Sequence, residues 1–362
     1  MRILYDHQTF GLQKFGGISR YFVELMSRLP DGYDVDNSVV FSDNVYLNGA
    51  SDKLAKGRPF RHVVRGDFRI KALVNKIDSL RRVRAGRFDV FHPTYYDPYF
   101  LKSLRRPYVV TVHDMIHEKF SELFSSDHKT KEFKKEVITR ADRIIAISQN
   151  TKKDIIDIYG ISDDRIEVIY HGHSHDELQI KPVYNLPKKY ILFVGQRYGY
   201  KNFGRLLRSF GRLHEKYPEI KLVCTGQSFN KQEMADINAL GLADSVFRYF
   251  VSDSQLTYLY KNAVCFVFPS LYEGIGIPIL ESFAAGCPLA LSDTSCFPEI
   301  ARDGGVYFDP YDEDNICEVL TRLIEDDSLR KELVTKGSAL LQNYSWDKMA
   351  AATAEVYRSV AK

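Results

Sequence analysis

Residues 265–292 read CFVFPSLYEGIGIPILESFAAGCPLALS. The apolar run Cys265–Phe268 stops at Pro269-Ser270, as a strand buried on both faces does. A loop carrying Glu273, Gly274 and Gly276 follows. A helix is then expected to start near Pro278, because proline suits the first helical position, where its missing N–H would be unpaired anyway. Gly286 is placed to end that helix, and PLALS begins the next strand. The unit is strand–loop–helix–strand, the building block of a parallel sheet. Glu273 lies in the loop, and Glu281 is expected in the first turn of the helix. Both carboxylates can then reach one concave spot beside unpaired backbone amides. Carboxylates accept hydrogen bonds from sugar and ribose hydroxyls, and the glycines allow close backbone approach. Glu281 could instead be a charge complementing the helix dipole, but the glycine–proline arrangement favours the site.

The same alternation runs outward through the chain. RILYD, VVF, DVFH, YVVTVH, RIIAIS and IEVIY read as strands in the first half, with YILFVG, KLVCTG, CFVFPS and PLALS in the second. Amphipathic helical stretches lie between them, such as ISRYFVELMSRL, NFGRLLRSFGRLHEKY and SQLTYLYKNA. The pattern restarts after the polar segment HGHSHDELQIKPVYNLPKK, which places a linker near 176–189. The expected organisation is an α/β fold of two doubly wound, Rossmann-like domains facing across a cleft. The first spans 1–180 and the second 181–343, with a last helix in 344–362 crossing back to the first domain.

Two further loops could bind an anion. The first strand ends at Asp6, and Gly11, Gly16 and Gly17 lead into a helix at Ile18 or Ser19. A helix start with adjacent glycines can hold phosphate, although this one matches neither GxGxxG nor a Walker A loop, and a plain strand–helix turn reads the same way. In YILFVGQRYGYKNFGRLLRSF, a strand ends at Gly195, and Arg197 and Lys201 follow before the next helix. Two cations there would make an anion trap, unless they are simply solvated loop charges.

The composition agrees. The chain has 362 residues, enough for about two domains. Hydrophobic residues make up 44% and charged residues 27%, which supplies a core and argues against disorder. A net charge of +3 argues against a dedicated nucleic-acid coat. No unbroken apolar stretch is long enough to cross a membrane, and Met1 runs straight into an apolar strand with no leader pattern. The five cysteines form no CxxC pair and read as reduced core residues of a cytoplasmic protein.

With these motifs in place, nearly the whole chain resembles retaining glycosyltransferases of family 4. These are also called group 1 glycosyltransferases and have the GT-B fold. The Glu-x₇-Glu segment carries the resemblance, supported by FGGISRYF, DVFHPTYYDPYF, TVHD, ADRIIAIS, VIYHG, VGQRYGYKN and FPEIARDGGVYFDP. The similarity is to bacterial enzymes of O-antigen, capsule and exopolysaccharide assembly. It implies transfer of a sugar (mannose or another hexose or deoxyhexose) from a nucleotide diphosphate-sugar to a glycan or lipid-linked glycan, with retention of configuration. It implies that Arg197 and Lys201 bind the donor diphosphate, that Glu273 contacts the sugar and that Glu281 holds the ribose. It also implies donor contacts at Gly16, Gly17, Gly195, Gly274, Ile275, Gly276 and Ile277, and a sugar contact from His113. No cofactor and no metal are expected, since fixed cations can stand in for a divalent ion.

Other features have more ordinary readings. Asp34-Val35-Asp36 has the DxD form of a metal-binding glycosyltransferase motif but reads as a turn with solvated charges before a strand. His171, His173 and His175 lack a carboxylate or cysteine set with metal spacing. Tyr95, Tyr96 and Tyr99 could form an acceptor platform or be half-buried loop aromatics. From Lys53 to Arg87 there are 12 Lys/Arg and two Asp, with Phe60 and Phe68 between them. No nucleic-acid-binding signature accompanies this stripe. An anionic membrane surface fits it better, giving a cytoplasmic enzyme peripheral to the membrane, and a solvated helix face fits as well. The rivals to a transferase are a nucleotide-sugar epimerase, which would turn over without an acceptor, and a non-catalytic lipid- or nucleic-acid-binding protein using the stripe.

Overall fold

Short runs of Ile, Val, Leu and Phe form parallel strands because helices cover both faces of each sheet. The computed structural model describes residues 1–48, 68–124, 128–173 and 180–361. The chain divides into Met1–Gly172 with Ser345–Lys362, and His173–Tyr344.

The first unit contains β1 (Arg2–Tyr5), β2 (Asp34–Asn37), β3 (Val90–His92), β4 (Val109–Val112), β5 (Arg143–Ala146) and β6 (Ile166–Val168). Its strands pair in the orders β2-β1-β3 and β4-β5-β6, all parallel. A single bridge from Phe91 to Tyr108 joins the two sets. The second unit contains β7 (Tyr190–Phe193), β8 (Lys221–Thr225), β9 (Val246–Tyr249), β10 (Cys265–Phe268), β11 (Leu289–Ser292) and β12 (Val306–Phe308). These form one parallel sheet in the order β12-β11-β10-β7-β8-β9. Strand order reverses between β7 and β10, where a doubly wound sheet opens a crevice at its carboxyl end.

Some expected elements differ. Val39–Phe41 is not a strand. Asn75 Oδ1 accepts from the N–H groups of Val40 and Phe41, and its amide donates to Phe41 O, so a side chain replaces the sheet ladder there. The strand is instead Asp34–Asn37, so the DxD stretch is an edge strand and not a turn. Asp34 pairs with Arg2 and Asp36 with Arg82. Two further strands escape the sequence pattern, β9 and β12, which form the two edges of the second sheet. Edge strands need only one covered side, so VFRY can carry Arg248 and VYF can stay three residues long.

The unit boundary falls after Gly172 and not at 180, and Tyr344 stays with the second unit. Close packing explains the first point. A Cβ on Gly172 would lie 2.1 Å from the backbone nitrogen of Trp346, so the segment ending at Gly172 is locked against the start of the last helix. For Tyr344, the hydroxyl donates to Ile300 O. The last helix, Trp346–Val360, packs in the first unit against helix Gly17–Arg28 through Met349, Ala350, Ala354 and Tyr357. Tyr357 bonds Tyr5 at 2.8 Å and His92 at 2.6 Å, hydroxyl to hydroxyl and hydroxyl to ring nitrogen, inside the core. The five cysteines are unpaired, and all but Cys317 are buried. Among the described residues no helix is long and apolar enough to cross a membrane.

Candidate active site

In the second unit, the loops leaving β7 and β10 emerge side by side at the reversal of strand order. Leu271 N donates to Tyr200 O at 2.7 Å and ties the loops together. Lys201 ends a short 3-10 turn, Gly199–Lys201, and Asn202 adopts the left-handed conformation before helix Phe203–Lys216. Lys201 Nζ lies 2.6 Å from Glu273 Oε1, with both side chains largely covered. Glu273 is fixed through its backbone, its N–H donating to Ser295 Oγ and its carbonyl accepting from the same hydroxyl. A cation and a carboxylate, each held on a rigid loop, therefore occupy one point of the crevice. Such a pair can offer a cation to an anion and a carboxylate to a hydroxyl.

Helix Ile277–Ala285 begins beside this pair. Gly276 sits at φ 74°, and a Cβ there would press on Ile279, Phe297 and Phe268 at 3.1–3.3 Å, so both conformation and space require glycine. No side chain caps this helix start; Pro278 has no N–H and Ile279 N donates to Gly276 O at 2.8 Å, so the start can offer an anion the Ile277 amide. Gly195 is also in the positive-φ region, at 114°, and its N–H donates to Thr225. Gly274 and Ile275 follow the fixed backbone of Glu273 in this same loop, with Ile275 buried, and Ile277 opens the helix. Gly286 ends the helix as its left-handed cap.

Two expected roles change. Glu281 is the fifth residue of the helix and not in its first turn, so it does not complement the dipole. Its carboxylate accepts from Tyr260 at 3.1 Å. Arg197 is engaged by the protein itself. Its guanidinium pairs with Glu233 at 3.1 Å, donates to the carbonyls of Thr225, Gln227 and Ser228, and lies over Phe229. Its side chain is 5% exposed. Glu233 is itself the acid of a capping box with Asn230 on helix Lys231–Ala239. Arg197 therefore ties the loop after β8 to the loop after β7. The Asn-x-x-Glu spacing at 230–233 was a readable signal for Glu233 as a cap.

In the first unit, Gly17 opens helix Gly17–Arg28 and Gly16 is its extended cap residue. A Cβ on Gly16 would strike Gln13 Oε1, which accepts from Ser19 N at 3.2 Å. The Gln13 amide thus covers a helix amide expected to face a phosphate. His113, after β4, is buried against Tyr21, Phe22 and His171. Its Nε2 has no partner among the described residues. Burial pushes its ring down to about 3, so it is a neutral imidazole able to make one hydrogen bond to a ligand hydroxyl.

Asp6 is more than the strand end its sequence context suggests. Its buried carboxylate accepts from Thr94 N, Thr94 Oγ1, Gln8 Nε2 and Tyr99 OH and holds the loops after β1 and β3 together. Tyr96 is buried and Tyr99 donates to Asp6, so these two are structural aromatics. His171 is buried too, while His175 and stripe residues 53–67 lie outside the described residues. No group of three or more His, Cys, Asp or Glu is placed to hold a metal ion among the described residues.

The family model for "Glycosyl transferases group 1" matches residues 175–339, and that for "Glycosyltransferase Family 4" matches residues 15–177. The chain belongs to the group 1 glycosyltransferases. Among the relatives of this glycosyltransferase is the O-antigen chain mannosyltransferase B of Escherichia coli, 27% identical over 94% of this chain and 96% of the relative. A sucrose-phosphate synthase from Thermosynechococcus elongatus superposes with a TM-score of 0.77 at 17% identity, covering 99% of this chain and 98% of the other. The Anabaena protein Alr3699/HepE, solved with UDP and glucose, superposes with a TM-score of 0.75 at 16% identity, covering 99% of both chains. The fold of this group 1 glycosyltransferase is GT-B.

The neutral histidines of this glycosyltransferase should make its first unit acid-sensitive. Burial pushes His92 as well as His113 down to about 3. The unfolded chain protonates them near their ordinary value of about 6.5. Between those values the unfolded state binds more protons, so stability falls as pH falls from about 6.5 toward 3 and is full above that window. Each histidine should add a slope of about 1.4 kcal/mol per pH unit. Urea unfolding at pH 7, 6 and 5 should show a shallower slope for His113→Asn than for the unaltered chain. Equal slopes would show that His113 is not held neutral.

Proposed function

We propose that this glycosyltransferase moves mannose, or a related hexose or deoxyhexose, from a nucleotide diphosphate-sugar to a hydroxyl of a glycan or lipid-linked glycan, in building a surface polysaccharide. The observation that carries the reading is the Lys201–Glu273 contact at the strand-order reversal of the second sheet. The likeness to an O-antigen mannosyltransferase supports the sugar class. Transfer breaks the bond between the anomeric carbon and the diphosphate oxygen. The acceptor oxygen attacks on the same face, and its proton passes to the departing phosphate, so configuration is retained. Negative charge grows on the leaving group, where Lys201 and the uncapped helix start at Gly276 stabilise it. With these fixed charges the reaction proceeds without a divalent metal. The pairing of Asp34 and Asp36 with arginines supports that reading. The enzyme works at an anionic membrane surface, which the cations and exposed Ile70, Leu73 and Ile77 of helix Phe68–Ala85 suit.

The two glutamates should fail in different ways. Glu281→Gln should weaken binding of nucleoside diphosphate and full donor alike, by about 1.5–3 kcal/mol for a hydrogen bond to a charged group. Glu273→Gln should lower kcat and leave nucleoside diphosphate affinity nearly unchanged. Calorimetry with nucleoside diphosphates beside steady-state transfer kinetics, repeated in EDTA, reads both and the metal requirement. The reverse pattern would exchange the two roles, and no effect from either change would remove the site from the donor. A rate abolished by EDTA and restored by Mn²⁺ would make the enzyme metal-dependent.

A further inference from the structure

We propose that a cavity in the first unit receives the hydrocarbon chain of a phosphate-bearing lipid acceptor. This rests on the transfer reading above and specifies the acceptor. The cavity measures about 630 Å³ and lies at the carboxyl ends of β1 and β3, between helices Phe68–Ala85 and His128–Arg140. That volume falls within the range of small-molecule sites. Strand β1 lies between β2 and β3, so strand order reverses there, where open α/β sheets place ligands.

The wall chemistry favours a hydrocarbon over a sugar ring. Phe10, Leu12, Phe41, Leu73 and Phe133 supply apolar surface. Apart from Lys14, several of the polar groups between them are already engaged by the protein. His7 Nδ1 bonds Ser79, Asn75 bonds the backbone of Val40 and Phe41, Lys76 pairs with Asp97 and Lys71 lies 3.4 Å from Asp43. A sugar ring would find few free partners for its hydroxyls, and burying those unpaired is costly. A hydrocarbon chain needs none.

The rim fits an amphiphile. Leu12 is 61% exposed and Leu73 58%. Ile70, Leu73 and Ile77 are spaced to form one stripe along their helix, so apolar surface continues outward from the cavity mouth. Lys14 lies on the lining with its ammonium over the Phe15 ring, and no carboxylate pairs with it among the described residues. Its charge complements a phosphate at the head of the chain.

The test titrates the full-length protein with farnesyl monophosphate below its micelle concentration, by calorimetry, beside inorganic phosphate and mannotriose. Leu12 and Leu73 are exposed, so Leu12→Asp and Leu73→Asp should fold. A circular-dichroism spectrum and a melting curve of each variant check this, beside nucleoside diphosphate binding. We expect one farnesyl monophosphate per chain, no inorganic phosphate or mannotriose binding at that concentration, and affinity at least tenfold weaker in both variants. Lys14→Glu should weaken it as well. Binding of mannotriose at this site, lost in Leu73→Asp, would make the cavity a glycan subsite and overturn the proposal. Farnesyl monophosphate binding that ignores both aspartates would overturn it too, even with nucleoside diphosphate binding intact. Loss of nucleoside diphosphate binding in the unaltered protein would overturn the transferase reading instead.

Discussion

Replacing Lys201 by alanine should lower the transfer rate by about 10²–10³, or roughly 3–4 kcal/mol of barrier, with a loss of thermal stability limited to that of leaving the largely covered Glu273 without its partner. Lys201 Nζ lies 2.6 Å from Glu273 and its side chain is 19% exposed, so a departing diphosphate can reach it. The fold around it does not depend on the ammonium. Asn202 Nδ2 bonds Pro310 O, and Leu271 N bonds Tyr200 O, and both survive the substitution. The cation matters most as charge develops on the leaving group, so kcat should fall more than donor affinity. Single-turnover kinetics with saturating donor, beside a melting curve, make the measurement. A near-unaltered kcat would reduce Lys201 to a loop charge that neutralises Glu273.

Arg197→Ala should have the opposite signature. It should destabilise the second unit by about 3–5 kcal/mol, as expected when one partner of a buried pair is removed. Glu233 would lose its partner, the carbonyls of Thr225, Gln227 and Ser228 would lose their donor, and the gap beside Phe203 and Phe229 would be left unfilled. The molecules that still fold should keep kcat within a few fold, because the guanidinium faces these groups. Urea unfolding followed by active-site-normalised kinetics separates the two effects. A stable Arg197→Ala protein that has lost 10²-fold in kcat would restore Arg197 to the phosphate site.

The two cations lie four residues apart in one loop, and their sequence environments are nearly alike. Proximity to a strand end and a helix start shows that charge is near an anion site. It does not show which way a side chain leaves the loop. That direction depends on Phe229, Glu233 and the carbonyls after β8, contributed by another element. Glu281 is a similar case. Its distance from Glu273 along the chain is evident, but one residue's difference in helix start moved it out of the first turn and beside Tyr260.

The sequence by itself determined the α/β class, most of the strands, the glycine loops and the Glu-x₇-Glu segment that marks the family. These follow from local rules. Buried parallel strands must be continuously apolar, and glycine is required where the backbone turns left-handed, as at Gly276 and Gly286. Only the tertiary structure decided what depends on strand order and on groups distant in the chain. It brought Lys201 to Glu273 across 72 positions, committed Arg197 to Glu233, buried Asp6 under Thr94 and Tyr99, and gathered Phe10, Phe41, Leu73 and Phe133 around one cavity. The reason is physical. Periodicity records which residues avoid water, whereas partners across a sheet are chosen by topology, and edge strands such as β9 and β12 are half released from the apolar rule that makes the others readable.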